Sequence, residues 1–201
     1  NLYLNNKEVA VKQFGKIETW DISNITDMSN LFSEYIKFNE NISKWNTSNV
    51  TDMSGMFYNA TIFNQDISSW DVSKVQDMSN LFGFAKKFNY SIDKWNVESV
   101  TNMEAMFNNA IQFNHNINNW DVSRVTTMDY MFYNAKKFNM PLDKWNVGQV
   151  TSMKAMFYNA VQFNQNINNW DVSRVTDMKG MFTNAKHLNT SLNNWNVNNV
   201  T

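Results

Sequence analysis

The stretch Trp120-Asp121-Val122-Ser123-Arg124-Val125-Thr126-Thr127-Met128-Asp129-Tyr130-Met131-Phe132-Tyr133-Asn134-Ala135-Lys136-Lys137-Phe138-Asn139-Met140-Pro141-Leu142-Asp143-Lys144 runs up to the next tryptophan, Trp145. It is one period of a pattern that fills the chain. All eight tryptophans, Trp20, Trp45, Trp70, Trp95, Trp120, Trp145, Trp170 and Trp195, stand 25 residues apart with no insertion or deletion. Methionine recurs eight residues after Trp (Met28 to Met178), phenylalanine twelve after (Phe32 to Phe182) and again eighteen after (Phe38 to Phe163, closed by Leu188). A fixed period of this size is the signature of a stacked repeat array, in which no unit can bury its apolar face alone.

Within the period, Met128, Met131, Phe132 and Ala135 follow helical spacing and predict one face of a short helix. Thr126 is placed to cap it, and in the previous coil Glu104 completes a capping box with Thr101. Ile117, Trp120 and Val122 predict a short extended segment. The expected fold class is therefore an α/β repeat solenoid, leucine-rich-repeat-like, with about eight 25-residue coils, each contributing a short parallel strand and a short helix. Residues 1–19 fit the period poorly and read as an N-terminal cap, with Phe14 to Ile17 as the compressed end of a coil; 20–201 form the solenoid, which breaks off in mid-motif at Thr201.

A second period of 50 overlies the first. Asp follows Trp20, Trp70, Trp120 and Trp170, and Asn follows the other four. Lys74, Arg124 and Arg174 are 50 apart, as are Lys44, Lys94 and Lys144. Like charges on adjacent coils would lie about 5 Å apart and repel, so skipping a coil relieves them.

The string Trp-Asp-Val-Ser-x-Val-Thr-x-Met-x-x-Met-Phe-x-x-Ala-x-x-Phe-Asn resembles the 25-residue repeat of BspA-like surface proteins, abundant among mycoplasma lipoproteins. The likeness spans about residues 14–201. It implies a leucine-rich-repeat-like solenoid in a cell-surface or extracellular setting and, for some members, adhesion to host matrix proteins. It carries over no catalytic residue.

Composition excludes several classes. The 201 residues hold 17 basic and 18 acidic side chains, so no basic field exists for nucleic acid. Cysteine is absent, which removes disulfide frameworks, Cys-based zinc sites and thiol catalysis. No phosphate-binding glycine loop, nucleophile elbow or zinc His pair occurs. No apolar run long enough to insert in a membrane is present either. The reading is a non-enzymatic protein-binding or adhesion module without cofactor or metal, its partner a host matrix or surface protein. The alternative is a structural spacer or variable surface antigen without a specific ligand. A third reading is a calcium-stabilised array: Asp21, Asp71, Asp121 and Asp171 stand too far apart at two-coil spacing to share one ion, so calcium would have to bind between coils with help from Asn and Ser oxygens.

Candidate partner-binding residues lie in two groups. One is the charged row Lys74, Arg124 and Arg174 with Asp121 and Asp171. The other is Tyr90, His115 and Met140, which depart from the repeat at the same position of three successive coils and predict an exposed aromatic and apolar patch. Asn39, Asn64, Asn89, Asn114, Asn139, Asn164 and Asn189 each follow the second Phe position and predict a structural ladder that satisfies backbone groups from coil to coil.

Overall fold

The computed structural model describes residues 2–201. It contains two short helices near the N-terminus, α1 (Leu2–Asn5) and α2 (Lys7–Phe14), and a single 3-10 turn at Ile17–Thr19. After Trp20 the described residues form neither helix nor strand. The coils consist of turns, joined by isolated parallel bridges Asp27–Asp52, Asp52–Asp77, Asp77–Asn102, Asn102–Thr127, Thr127–Ser152 and Ser152–Asp177. The expectation of a helix and a strand in every coil is thus overturned.

The backbone hydrogen bonds explain why. In the run Met53–Ala60, Met56 N–H donates to the Met53 carbonyl, Tyr58 to Gly55 and Ala60 to Phe57, each closing a four-residue turn. The alternate residues turn the other way: Met53 donates to Asp77 of the next coil, Gly55 to Ser79, Phe57 to Leu81 and Asn59 to Gly83. The segment is a ribbon of successive β-turns. Of its eight N–H groups, three close turns within the coil and four reach the next one, so every donor from Met53 to Ala60 except Ser54 is paired through the backbone; Ser54 N–H is taken by the Asp52 carboxylate.

The ribbon needs left-handed residues at two places per coil. Asn30, Asn80, Ala105, Tyr130 and Ala155, with Gly55 and Gly180, have φ between 50° and 68°, and so do Glu34, Asn59, Phe84, Asn109, Asn134, Asn159 and Asn184 four residues on. A helix cannot contain such residues, whereas the third position of a type II turn requires one, and Asn and Gly reach it at least cost. The ribbon nonetheless buries positions 53, 56, 57 and 60, the set a helix face would bury, which is why the apolar spacing misleads.

The capping and strand readings fall with the helix. The Thr126 hydroxyl donates to the Thr101 carbonyl one coil back, and Thr101 does the same to Gln76, so this row ties coils together instead of capping. At Ile117–Val125 the chain makes two further turns, Trp120 N–H to Ile117 and Val125 N–H to Val122.

Seven of the eight tryptophans are staples between coils, while Trp20 Nε1 bonds to the Phe14 and Gly15 carbonyls. Trp120 Nε1 donates to the Ile92 carbonyl at 3.1 Å, and the bond repeats at the same offset from Trp45–Ile17 through Trp195–Ile167. The Ile92 oxygen also accepts Trp95 N–H, so both its lone pairs are used. Within a coil the two phenylalanines lie face to face, 4.0 Å between centroids for Phe107 and Phe113, and each stacks on its counterparts at 5.6–6.1 Å. These rings and the Met rows make one continuous core.

The N-terminal segment enters this frame. Ala10 and Ile17 are fully buried 50 and 25 residues before Ala60 and Ile42, and Ile17 receives the Trp45 indole. α2 stands where a ribbon would stand. Its Asn6 N-cap accepts Val9 N–H, and Gly15 closes it at φ 76°. Lys7 to Glu40, at 2.5 Å, is the one ion pair among the described residues and ties α2 to the first coil.

Candidate functional site

The charged row lies on the exposed side next to the tryptophans. Lys74, Arg124, Arg174, Asp121 and Asp171 are all exposed. The 50-residue alternation has a local cause beyond repulsion. Lys74 Nζ donates to Asn49 Oδ1 of the preceding coil at 2.8 Å, and Arg174 Nη1 to Gln149 Oε1 at 2.6 Å. Lys144 does the same to Asn119 and Lys137 to Gln112. A cation in one coil is paired with an amide acceptor in the coil before it; a second cation there would supply no acceptor. Arg124 has no hydrogen-bond or ion-pair partner among the described residues.

Asp71, Asp121 and Asp171 each accept the N–H of the serine two residues on, at 3.0 Å. Asn46, Asn96 and Asn146 make the equivalent bond in the alternate coils. Both side chains therefore build the same turn, and only the Asp coils add a charge. Hydrogen bonds from the serine hydroxyl and N–H hold the Asp121 and Asp171 carboxyls below the usual range.

The second predicted group stands in line on three successive coils, next to the linked Asn89, Asn114 and Asn139, but only one member is fully exposed. Tyr90 is exposed, but His115 and Met140 are half-buried. Met140 packs against the core, and His115 Nε2 lies 2.8 Å from the Asn89 carbonyl. Gln65 and Gln165, 50 residues either side of His115, donate to the Asn39 and Asn139 carbonyls in the same way. This position ties coils together, and His115 substitutes for a glutamine in that role.

The asparagine row forms a chain of hydrogen bonds. Asn39 Oδ1 accepts Asn64 N–H at 2.8 Å, and the bond repeats from Asn64, Asn89, Asn114, Asn139 and Asn164 to the next asparagine at 2.8–3.1 Å, ending at Asn189. These residues are half-buried or exposed, so the turn they brace lies at the surface.

Tyr130, Tyr133 and Tyr158 cluster on the outer side of the ribbon, with Tyr133 and Tyr158 stacked at 4.8 Å and Lys154 5.6 Å above Tyr130. Nearby, burial and the charges of Asp129 and Asp77 push the Glu104 carboxyl upward. Among the described residues no group of three His, Asp or Glu side chains is placed to hold a metal ion, and no helix is long and apolar enough to cross a membrane.

Against known proteins, the chain matches the family model described as "Mycoplasma protein of unknown function, DUF285" over residues 3–120, 64–166 and 101–201, three overlapping matches that span nearly its whole length. No curated protein matches it. Among solved structures, an internalin (InlF) from Listeria monocytogenes is 11% identical, with 81% of this chain and 69% of that chain covered and a TM-score of 0.25, too low to indicate a shared fold.

Proposed function

The chain belongs to the Mycoplasma family of unknown function DUF285, and from that premise we propose that it is a non-enzymatic, surface-displayed module that binds a partner protein through its charged face. The supporting observation is the row of exposed cations Lys74, Arg124 and Arg174 beside Asp71, Asp121 and Asp171, held at regular spacing by a rigid hydrogen-bonded frame. Arg124 contributes nothing to that frame. Alternating charges on a preorganised face suit a partner of complementary pattern and lower the ordering cost of binding.

The experiment is a binding screen against extracellular matrix proteins and glycans, repeated with Arg124→Glu and Arg174→Glu. The proposal expects a protein ligand whose binding falls in the double variant while the melting temperature stays within a few degrees. Absence of binding to every candidate counts against it. The spacer alternative predicts that function follows the number of repeats and ignores substitutions confined to one face.

A further inference from the structure

The net charge of −1 hides a segregation of charge across the ribbon. The edge where the ribbon starts carries the carboxylates Asp27, Asp52, Asp77, Glu104, Asp129 and Asp177, against the lysines Lys154 and Lys179. The edge where it ends, as the chain turns towards the second phenylalanine, carries Lys86, Lys87, Lys136, Lys137 and Lys186, followed by His187, all exposed. Residues 35–39, 60–64, 85–89, 110–114, 135–139, 160–164 and 185–189, which make this turn in successive coils, contain no Asp or Glu. The ammonium groups of Lys86, Lys87, Lys136 and Lys186 have no hydrogen-bond or ion-pair partner among the described residues, and Lys137 donates to the neutral Gln112 Oε1. The positive charge of this edge is therefore left uncompensated by its neighbours.

The row is straight. Phe88, Phe113, Phe138 and Phe163, each beside the turn, stack at 6.0–6.1 Å and tilt by only 6–7° from one coil to the next. Lysines two coils apart accordingly stand about 10–12 Å from each other along one line. Between Lys136 and Lys186 lies a groove of about 280 Å³, lined also by Asn134, Asn159, Val161 and Asn184. These three asparagines hold the left-handed position of the ribbon, φ 55–59°, so the backbone that calls for asparagine also sets amide groups one coil apart between the lysines. Asn134 Nδ2 donates to Asn109, whereas the Asn159 and Asn184 side chains make no hydrogen bond among the described residues.

We propose that this edge is a binding site for a linear sulfated polysaccharide, laid along the stack so that its sulfate groups pair with the lysines while its hydroxyls bond to Asn159 and Asn184 in the groove. An ammonium is a compact charge with three rotatable donors, which suits sulfates on a chain of variable shape. A free amide both donates and accepts, which suits hydroxyls. Nucleic acid fits the row less well: a strand carries a phosphate about every 3.4 Å, so most of them would find no lysine at this spacing. A lipid surface is met by a broad polybasic patch or an amphipathic helix, whereas this row is one or two lysines wide and runs between rows of asparagine. It is separate from the face of Lys74, Arg124 and Arg174, which lie twelve residues earlier in their coils than Lys86, Lys136 and Lys186.

The test is calorimetric titration of the whole chain with a heparin decasaccharide at physiological ionic strength. Saturable binding is expected, weakened roughly tenfold in the double variant Lys136→Ala/Lys186→Ala. Asn159→Asp should weaken it comparably, since it puts a negative charge in the groove while aspartate still tolerates the left-handed backbone. Arg124→Ala/Arg174→Ala removes as much charge from the other face and should leave the affinity within about twofold of the parent. Melting temperatures should match the parent within a few degrees, because the substituted lysines and arginines are exposed. Absence of binding, binding indifferent to both groove variants, or equal losses in the two double variants overturns the proposal. So does binding of unsulfated hyaluronan, single-stranded DNA or phosphatidylserine vesicles as tight as that of heparin under the same conditions.

Discussion

Asn159 gives a substitution whose sign separates a turn ribbon from a helix. Its φ is 55°, its N–H donates to the Thr183 carbonyl of the next coil, and its side chain makes no hydrogen bond among the described residues. Replacing it therefore changes little besides backbone preference. A left-handed conformation costs an ordinary L-residue about 1–2 kcal/mol, which Asn partly avoids and Gly avoids altogether. Asn159→Ala should then destabilise by about 1 kcal/mol, whereas Asn159→Gly should stay within about 0.5 kcal/mol of the parent, because the relief of strain offsets the larger entropy of the unfolded glycine. In a helix the order reverses. Ala would gain roughly 0.5 kcal/mol over Asn, and Gly would lose several tenths. The assay is urea and thermal unfolding followed by tryptophan fluorescence; for a chain of this length 1 kcal/mol moves the midpoint by about 2–4 °C. Alanine melting above glycine at this position would refute the ribbon.

Three further outcomes follow from the same frame. Trp120→Phe removes the bond to Ile92 and part of a buried ring, and should cost about 1.5–3 kcal/mol in the same unfolding assay. Deleting residues 96–120 would make Lys74 and Arg124, Lys94 and Lys144, and Lys87 and Lys137 neighbours and strip Lys144 and Lys137 of their amide acceptors Asn119 and Gln112, whereas deleting 96–145 keeps the alternation; the shorter deletion should melt lower, and added salt should narrow the gap. The carboxyls of Asp21, Asp27, Asp66, Asp71, Asp121 and Asp171 are lowered by hydrogen bonds to serine, so they stabilise the fold above their unfolded value and lose that contribution as pH falls through the folded one, while Glu104, raised by burial and by Asp129 and Asp77, works in the opposite sense. Acid titration of stability should therefore show a loss at low pH, and Glu104→Gln should raise the melting temperature at neutral pH but not at acid pH.

The period, the buried rows and the link between consecutive asparagines can be read from residue identity alone, because an array without insertions places each residue beside its counterpart 25 positions away. The local conformation cannot be read so simply. Met128, Met131, Phe132 and Ala135 have helical spacing, yet a ribbon of turns buries the same four positions. The distinguishing signal sits on the polar side, in Asn59, Asn109, Asn134, Asn159 and Asn184, with Gly55 and Gly180 in the companion row, all at left-handed φ. Five asparagines in register within a supposed helix contradict helix propensity, and apolar periodicity outweighed them. The charged rows are a related case. Repulsion accounts for the spacing of Lys74, Arg124 and Arg174, but the amide acceptors at Asn49 and Gln149 become visible only when a side chain is seen to cross between coils. Tyr90, His115 and Met140 share a repeat position, yet only Tyr90 is fully exposed: a side chain long enough to reach the carbonyl one coil back is drawn to it, as His115 is to Asn89.

The central claim is that coils are held by hydrogen bonds that alternate between turn and neighbour. It can be read directly from scalar couplings across hydrogen bonds in isotope-labelled protein. Phe107 N–H donates to the Met131 carbonyl at 2.9 Å, so its nitrogen should couple to the Met131 carbonyl carbon, and Asn108 nitrogen to that of Ala105. A helix would instead couple Phe107 to Met103, four residues back, and observation of that coupling would contradict the account.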